Sequence, residues 1–183
     1  NRIKNIIKVS GSNIAFYDES FNNPDIKKKL RLTFFDTIDI QNRFKFEKIK
    51  KVKKINPKNI AMIFFTSGST AIPKGVKITY SSFIYSAYQQ IKKLNYKKNK
   101  EIFSDYHDSS FVMSLNVIFP AIYLSSTIAP ITSYEDKINP IEHINKNKIS
   151  VLITVPSFFL YINNFIKKKI SINNLIFCGE NLP

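Results

Sequence analysis

Short apolar runs alternate with longer amphipathic stretches along the chain, which is typical of strands and helices in an α/β protein. Some runs are continuously apolar, including Ala61–Phe65 and Val151–Val155, as expected for a parallel sheet covered by helices on both faces. The predicted fold is α/β, a layered, largely parallel β-sheet flanked by helices. Predicted strands cover Ile14–Tyr17, Leu32–Ile38, Ile60–Thr66, Glu101–Tyr106, Ser126–Ile131, Val151–Val155 and Leu175–Cys178, and predicted helices cover Ser81–Leu94, Phe111–Leu124, Ile138–Lys146 and Pro156–Lys168.

Two of the predicted helices have recognisable start signals. Ser81 or Ser82 can cap the first helix, and Pro156 stands where a proline is tolerated in a first turn. The stretch 39–59 is rich in lysine and poor in large apolar residues, so we expect a solvated connection. A basic docking strip for acidic partners is the alternative interpretation of the same residues.

Composition narrows the classes of protein that need to be considered. The chain has 183 residues, enough for one ordinary domain, and its single cysteine and two histidines exclude an internal disulfide and a closed zinc site. It has no apolar run of membrane-spanning length, and its first ten residues lack the apolar block and small-residue cleavage site that a signal peptide is expected to have. We therefore expect a cytoplasmic protein without a membrane partner.

The chain is strongly basic, with a formal net charge of +15. A nucleic-acid partner is one explanation. However, the basic residues are scattered lysines among isoleucine, asparagine and phenylalanine, and arginine occurs only at positions 2, 31 and 43. Compositional bias explains this mixture equally well, so we expect no nucleic-acid partner. A salt-sensitive mobility shift of an oligonucleotide would restore nucleic-acid binding as an alternative.

The segment Phe65–Val76 carries the clearest chemical signal. It follows an apolar strand and combines two glycines, four hydroxyl groups and one lysine, namely Gly68, Gly75, Thr66, Ser67, Ser69, Thr70 and Lys74. Backbone amides freed by glycine, hydroxyl donors and a mobile ammonium group suit a polyphosphate. A Walker loop is excluded, because it requires Gly-Lys-Ser/Thr and the order here is Pro73-Lys74-Gly75. A flexible surface turn is the alternative.

This segment resembles the phosphate-binding signature of the adenylate-forming superfamily, which includes acyl-CoA synthetases, luciferases and the adenylation domains of peptide synthetases. Ala71 stands where that signature has glycine. The resemblance implies that the hydroxyls and Lys74 hold the β- and γ-phosphates of ATP. It also implies Mg²⁺, although the family's metal ligands and its catalytic lysine are not in this chain, which supplies no metal site of its own.

Two later segments resemble the same family in the same order. Tyr106–Phe111 is similar to the segment in which an aspartate holds the ammonium group of an amino acid, and this implies that role for Asp108; a helix cap is the alternative. The end of the chain, Leu175–Pro183, is similar to the strand end beside adenine. There, Gly179 and Glu180 are expected to contact the nucleotide.

The Cys-Gly-Glu sequence at positions 178–180 is most similar to the D-alanine:carrier-protein ligase branch. On that resemblance Cys178 and Thr154 line the substrate pocket, although a small buried residue is an equal alternative for Cys178. His143 is expected to be an ordinary surface residue.

Taken together, the resemblance implies part of the large N-terminal domain, over residues 1–183, of a ligase that forms an acyl-adenylate and pyrophosphate from ATP and a carboxylic acid. An amino acid is favoured as the substrate, and a carrier protein or CoA as the thiol acceptor. The fragment alone is expected to be inactive. The alternatives are a noncatalytic interaction module with this fold and an acyl-CoA synthetase acting on another acid.

Overall fold

A computed structural model of the chain describes residues 2–17, 33–36, 54–66, 73–108, 110–164, 166 and 170–182. These form two compact units, Asn1–Tyr80 and Ser81–Pro183. The helices are α1 (Arg2–Ser10), α2 (Tyr80–Lys93), α3 (Leu115–Tyr123), α4 (Tyr134–Ile138), α5 (Pro140–Lys146) and α6 (Pro156–Asn163). The strands are β1 (Ile14–Tyr17), β2 (Thr33–Asp36), β3 (Ile60–Thr66), β4 (Lys74–Thr79), β5 (Ile102–Asp105), β6 (Thr127–Pro130), β7 (Val151–Thr154) and β8 (Asn174–Phe177).

The first unit contains two separate strand pairs. β1 and β2 are parallel, with Ile14 opposite Thr33. β3 and β4 are antiparallel, with Phe64 opposite Val76. The expectation of a parallel, doubly covered strand was therefore wrong for Ala61–Phe65. Strand β4 was also missed, because its sequence Lys-Gly-Val-Lys-Ile-Thr was interpreted as part of the loop.

The second unit is built on a four-stranded parallel sheet with the order β6-β5-β7-β8. Helix α3 covers one face, where Val117 and Ala121 pack in one cluster with Phe103, Val151 and Ile153. On the other face, Leu152 packs with residues of the α5 and α6 region. All four residues of β7 are buried, as their continuously apolar sequence predicted, and the predicted α/β class with a parallel sheet flanked by helices is confirmed.

The amino ends of β5 and β7 are joined by side chains. The hydroxyl of Ser150 donates a hydrogen bond of 2.6 Å to the carboxylate of Glu101, and accepts one of 2.9 Å from the backbone N–H of Ile102. Glu101 also accepts a hydrogen bond from the backbone N–H of Lys97. The buried carboxylate is thus satisfied by two donors, as burial of a charged group requires.

Several predicted helix boundaries differ from the structure. Helix α2 begins at Tyr80, so Ser81 and Ser82 lie in its first turn rather than at its cap. The predicted helix Phe111–Leu124 is a 3₁₀ turn, Val112–Ser114, followed by α3. The predicted helix Ile138–Lys146 begins at Pro140, because Asn139 separates α4 from α5. The proline at position 156 does open its helix.

Residues 39–53 of the predicted lysine-rich connection, 39–59, lie outside the described residues. Its last part, 54–59, is exposed and forms no helix or strand. Along the described part of the chain, none of the helices combines the length and the apolar character that a membrane crossing requires.

Candidate functional site

The β3–β4 hairpin holds the two ends of the predicted phosphate loop side by side. Thr66 is the last residue of β3 and Lys74 the first of β4, and the antiparallel register places them opposite each other. Both residues are exposed, whereas the intervening Pro73 is buried. The other predicted phosphate-binding residues, Ser67, Gly68, Ser69 and Thr70, lie outside the described residues, as does Ala71.

The structure gives a steric reason for glycine at position 75, whereas its sequence context suggested a conformational one. It is an ordinary strand residue paired with Phe65, and no left-handed backbone conformation is found there. A methyl group on its Cα would lie 3.0 Å from Cγ2 of Ile63 and 3.3 Å from Cε1 of Phe65. Glycine therefore leaves room for neighbouring side chains. The special backbone torsion expected at Gly75 is not found, and its contact with phosphate stays a prediction.

The remaining predicted site residues lie at one edge of the four-stranded sheet. Because β5, β7 and β8 are parallel, their carboxyl ends meet at the same edge. Asp108 follows β5, Thr154 ends β7, and the segment 178–180 follows β8. The tertiary structure therefore brings together residues that are up to 72 positions apart in the sequence.

Asp108 is exposed, and its carboxylate is already engaged within its own turn. The backbone N–H of Ser110 donates a hydrogen bond of 2.8 Å to Oδ1 of Asp108, and the pKa of Asp108 is lowered mainly by this bond. The backbone N–H of Phe111 donates to the Asp108 carbonyl oxygen at 2.9 Å. This geometry is that of a turn held by its own aspartate, ahead of the 3₁₀ helix whose N-cap residue is Phe111. The contact of Asp108 with an ammonium group stays a prediction.

His107, the residue before Asp108, bridges two strand ends. Its Nε2 atom lies 2.9 Å from the carbonyl oxygen of Ile153. A carbonyl oxygen only accepts hydrogen bonds, so Nε2 carries the proton in this contact. The imidazole ring therefore ties the segment after β5 to β7.

Thr154 and Cys178 lie next to each other at the ends of neighbouring strands. The backbone N–H of Cys178 donates a hydrogen bond of 3.1 Å to the carbonyl oxygen of Thr154, and Sγ of Cys178 is 3.9 Å from the same oxygen. Thr154 is fully buried and Cys178 is half-buried, which raises the pKa of its thiol. The two residues are therefore neighbours through their backbones.

Gly179 has the left-handed backbone conformation that favours glycine, with φ of 86°. A side chain at this position would also meet Sδ of Met113 and Cγ1 of Val155, each at 3.4 Å. The residue is exposed. The left-handed backbone therefore favours glycine here, and the adenine contact of Gly179 stays a prediction.

Glu180 stabilises the start of α6. Its carboxylate accepts hydrogen bonds from the backbone N–H of Ser157 at 3.0 Å and from the Ser157 hydroxyl at 2.8 Å. These bonds hold the pKa of Glu180 below its usual range, the hydroxyl contact having the larger effect. A carboxylate at a helix N-terminus also interacts favourably with the helix dipole.

His143 was expected on the surface, and this prediction was wrong. Only 4% of the residue is exposed, its Nδ1 lies 3.1 Å from Oδ1 of Asp136, and its ring packs edge-on against Tyr106. The hydroxyl of Tyr106 donates to the carbonyl oxygen of Pro140 at 3.2 Å. A new helix, α5, begins at Pro140 after Asn139, and His143 on this helix faces the sheet.

Within the described ranges, histidine, cysteine and carboxylate side chains do not come together in any group of three or more that could hold a metal ion. Among the described residues, these side chains therefore form no cluster for the Mg²⁺ that the resemblance implies. Each unit contains groups that suit a nucleotide. In the first unit these are the exposed side chains of Thr66 and Lys74, and in the second the exposed backbone of Gly179.

Comparison with known protein families gives a match over the full length of the chain. The family model described as AMP-binding enzyme matches residues 1–183. The chain is 29% identical over 138 residues to the D-alanine--D-alanyl carrier protein ligase of Staphylococcus aureus, covering 71% of this chain and 28% of the ligase. It thus spans less than a third of the length of that relative.

Two solved structures share the fold. The o-succinylbenzoate CoA synthetase of Bacillus subtilis, in complex with ATP and a magnesium ion, matches 97% of this chain and 37% of the synthetase, with a TM-score of 0.79 and 18% sequence identity. The McyG A-PCP structure, complexed with phenylalanyl-adenylate, matches the whole chain and 31% of that protein, with a TM-score of 0.75 and 18% identity.

Proposed function

Because the chain belongs to the AMP-binding enzyme family, whose members are ATP-dependent ligases, we propose that it contributes nucleotide and acid binding to an enzyme that adenylates a carboxylic acid. In this reaction a carboxylate oxygen of the acid bonds to the α-phosphorus of ATP, and the bond to the departing pyrophosphate breaks. The products are an acyl-adenylate and pyrophosphate. The adenylate is then attacked by a thiol, which releases AMP.

The observation that carries this proposal is the pairing of Thr66 with Lys74 across the β3–β4 hairpin. The hairpin presents a hydroxyl and an ammonium group, both exposed, at the two ends of the Ser67–Ile72 segment. Donors fixed on paired strands are preorganised, so they can stabilise negative charge as it develops on pyrophosphate without reorganising. We propose that Ser67, Gly68, Ser69 and Thr70 supply the remaining phosphate contacts.

The carboxyl edge of the four-stranded sheet is the proposed acid and adenine site. Ligands of open α/β sheets bind at the carboxyl ends of the strands, and the ends of β5, β7 and β8 meet at this edge. We propose that Gly179 and Glu180 flank adenine, and that Thr154 and Cys178 line the acid pocket. For Glu180 this role requires the carboxylate to share or release the hydrogen bonds it accepts from Ser157.

An amino acid is the favoured substrate class. The relative that matches 71% of this chain is named as a D-alanine--D-alanyl carrier protein ligase, and the McyG structure contains phenylalanyl-adenylate. Both names concern amino acids and carrier proteins, whereas the synthetase from Bacillus subtilis transfers another acid to CoA, as its name states. The proposed acceptor is a carrier-protein thiol, with CoA as the second candidate.

The test is ATP–pyrophosphate exchange by the longest gene product that contains this chain. We expect exchange that depends on one or a few amino acids in a panel that also includes fatty and aryl acids. Exchange with a fatty or aryl acid alone would support adenylation as the reaction but reject an amino acid as the substrate. Absence of exchange with every acid, together with no heat of ATP binding in a calorimetric titration, would overturn the proposal and favour a noncatalytic module.

A further inference from the structure

The segment that follows β8 lies against the start of helix α6. The backbone N–H of Cys178 bonds to the carbonyl oxygen of Thr154, which continues the pairing of β7 with β8. At the next position, an added Cβ on Gly179 would lie 3.4 Å from Cγ1 of Val155. Val155 is the N-cap residue of α6. The exposed backbone of Gly179 therefore packs beside the residue at which the helix starts.

Helix α6 begins without a side-chain cap of its own. Its N-cap residue, Val155, is apolar and makes no capping hydrogen bond, and Pro156 at the first helical position has no N–H. The first N–H of the helix is therefore that of Ser157. It donates a hydrogen bond of 3.0 Å to Oε2 of Glu180, which lies 23 residues further along the chain. The segment after β8 thus supplies the acceptor that a helix N-terminus requires.

The hydroxyl of Ser157 adds a second bond to the same carboxylate. It donates to Oε1 of Glu180 at 2.8 Å, so each carboxylate oxygen accepts one hydrogen bond from one residue. Between residues that the structure describes, these two are the hydrogen bonds that join Gly179–Leu182 to the rest of the chain. Gly179 is therefore anchored just before its position by Cys178 and just after it by Glu180.

These two anchors fix the residue that most needs them. Gly179 is exposed and has a left-handed backbone, with φ of 86°, and glycine loses more conformational freedom on ordering than any other residue. Anchors on both sides hold this conformation before a ligand arrives. Preorganisation of this kind raises affinity, because less entropy is lost when the ligand binds.

We infer that Ser157 is a positioning residue for the nucleotide, and that the Glu180 carboxylate acts through Ser157 rather than by touching adenine. This inference rests on the proposed function, in which Gly179 lies beside adenine. Both oxygens of Glu180 already accept hydrogen bonds from Ser157, and a direct contact with adenine requires one of them to be shared or released. The Ser157–Glu180 pair instead holds the Gly179 backbone in place for the nucleotide.

The two possible roles of Glu180 predict different effects of removing the Ser157 hydroxyl. Ser157→Ala frees Oε1 of Glu180 and keeps the backbone hydrogen bond. A carboxylate that touches adenine would then leave the KM of ATP unchanged or lower it. For a positioning pair, we expect the KM of ATP to rise about three- to tenfold, the scale for losing one hydrogen bond. The measurement is ATP–pyrophosphate exchange by the longest gene product that contains this chain.

Two further variants separate positioning from a structural cap. Ser157→Thr retains the hydroxyl and should return the KM of ATP to within about twofold of the wild-type value. Ser133→Ala is the matched control, because Ser133 also uses its hydroxyl at the start of a helix, α4. That helix follows β6, at the opposite edge of the sheet from β8. Ser133→Ala should lower stability and leave the KM of ATP unchanged.

A double-mutant cycle with Glu180→Ala completes the test. Because Ser157 acts through Glu180, the double variant should have the same KM of ATP as Glu180→Ala alone, so the effects should be non-additive. The inference is overturned if Ser157→Ala leaves the KM of ATP unchanged or lowers it, whether or not stability falls, or if the two effects add. Absence of exchange with every acid and of ATP binding in the wild type would instead reject the proposed function, and this inference with it.

Discussion

The imidazole Nε2 of His107 lies 2.9 Å from the carbonyl oxygen of Ile153, at the opposite end of β5 and β7 from the hydrogen bond between Ser150 and Glu101. Backbone pairing between these strands is centred on Phe103 and Val151. Side chains therefore join the two strands at both ends, on either side of this pairing. The carboxyl-end tie borders the place where the proposed acid site lies.

Replacing His107 by phenylalanine should loosen this edge. The variant keeps an aromatic ring but leaves the Ile153 carbonyl without its donor, so we expect a loss of about 1 kcal/mol in the free energy of unfolding. Urea unfolding followed by circular dichroism measures it. His107→Gln retains an N–H donor and should recover part of the loss. Equal stabilities of the phenylalanine variant and the wild type would show that the tie contributes nothing.

Removing the Lys74 ammonium group should impair adenylation more than folding. In Lys74→Ala we expect the rate of ATP–pyrophosphate exchange to fall about 100-fold, the scale for one preorganised donor to developing charge. Lys77→Ala is the matched control. Lys77 is also exposed on β4, but it lies opposite Ile63, three residues along the strand from the loop end at which Lys74 faces Thr66. Similar exchange rates for the two variants would argue against a phosphate-binding hairpin.

Gly75→Ala should destabilise the hairpin by crowding. The new methyl group would meet Ile63 at 3.0 Å, and we expect a cost of about 1–3 kcal/mol, as for other overpacked positions. In urea unfolding, the additional change Ile63→Ala should relieve part of this cost, so the two substitutions should be non-additive. Strictly additive effects would contradict the crowding argument.

Gly11→Ala separates crowding from backbone strain. Gly11 has φ of 67° and, in the described part of the chain, an added methyl group would have no atom within 4 Å. We expect a cost of about 1–2 kcal/mol from the left-handed conformation alone. No second substitution in the described residues should relieve it, in contrast to Gly75→Ala, and an unchanged urea midpoint would show that the conformation is not maintained in solution.

Asp136 should give stability a defined pH dependence. Hydrogen bonds from Ser133, and then from His143, lower the pKa of Asp136 to about 2. A depressed pKa means that the carboxylate stabilises the folded state above its unfolded pKa of about 4. This contribution is lost as the pH falls through the folded value of about 2. The expected window therefore lies between these two values.

The test is Asp136→Asn, with unfolding midpoints measured from pH 7 down to pH 2. The variant should be less stable than the wild type at neutral pH, and the difference should shrink across the window as the wild-type carboxylate becomes protonated. Glu135→Gln, which changes an exposed carboxylate on the same helix, is the control and should show no such convergence. A difference that stays constant from pH 7 to pH 2 would contradict the assignment.

Much of the fold could be predicted from local sequence. The apolar run of β7 and the proline that opens α6 depend on few neighbouring residues, and both predictions are confirmed. The missed features depend on partners. Strand β4 is mostly polar or small, and it is a strand because it pairs with β3; no periodicity in its own six residues signals that pairing.

The sequence by itself determined the family, because the glycine, serine, threonine and lysine signature is contiguous and its chemistry is visible without folding. The tertiary structure decided which side chains are buried and which are satisfied. It placed His143 against the ring of Tyr106 and beside Asp136, and it gave Asp108 a hydrogen-bond donor in its own turn. Burial depends on elements that are distant in the chain, so the sequence could not show that His143 is enclosed while Asp108 is exposed.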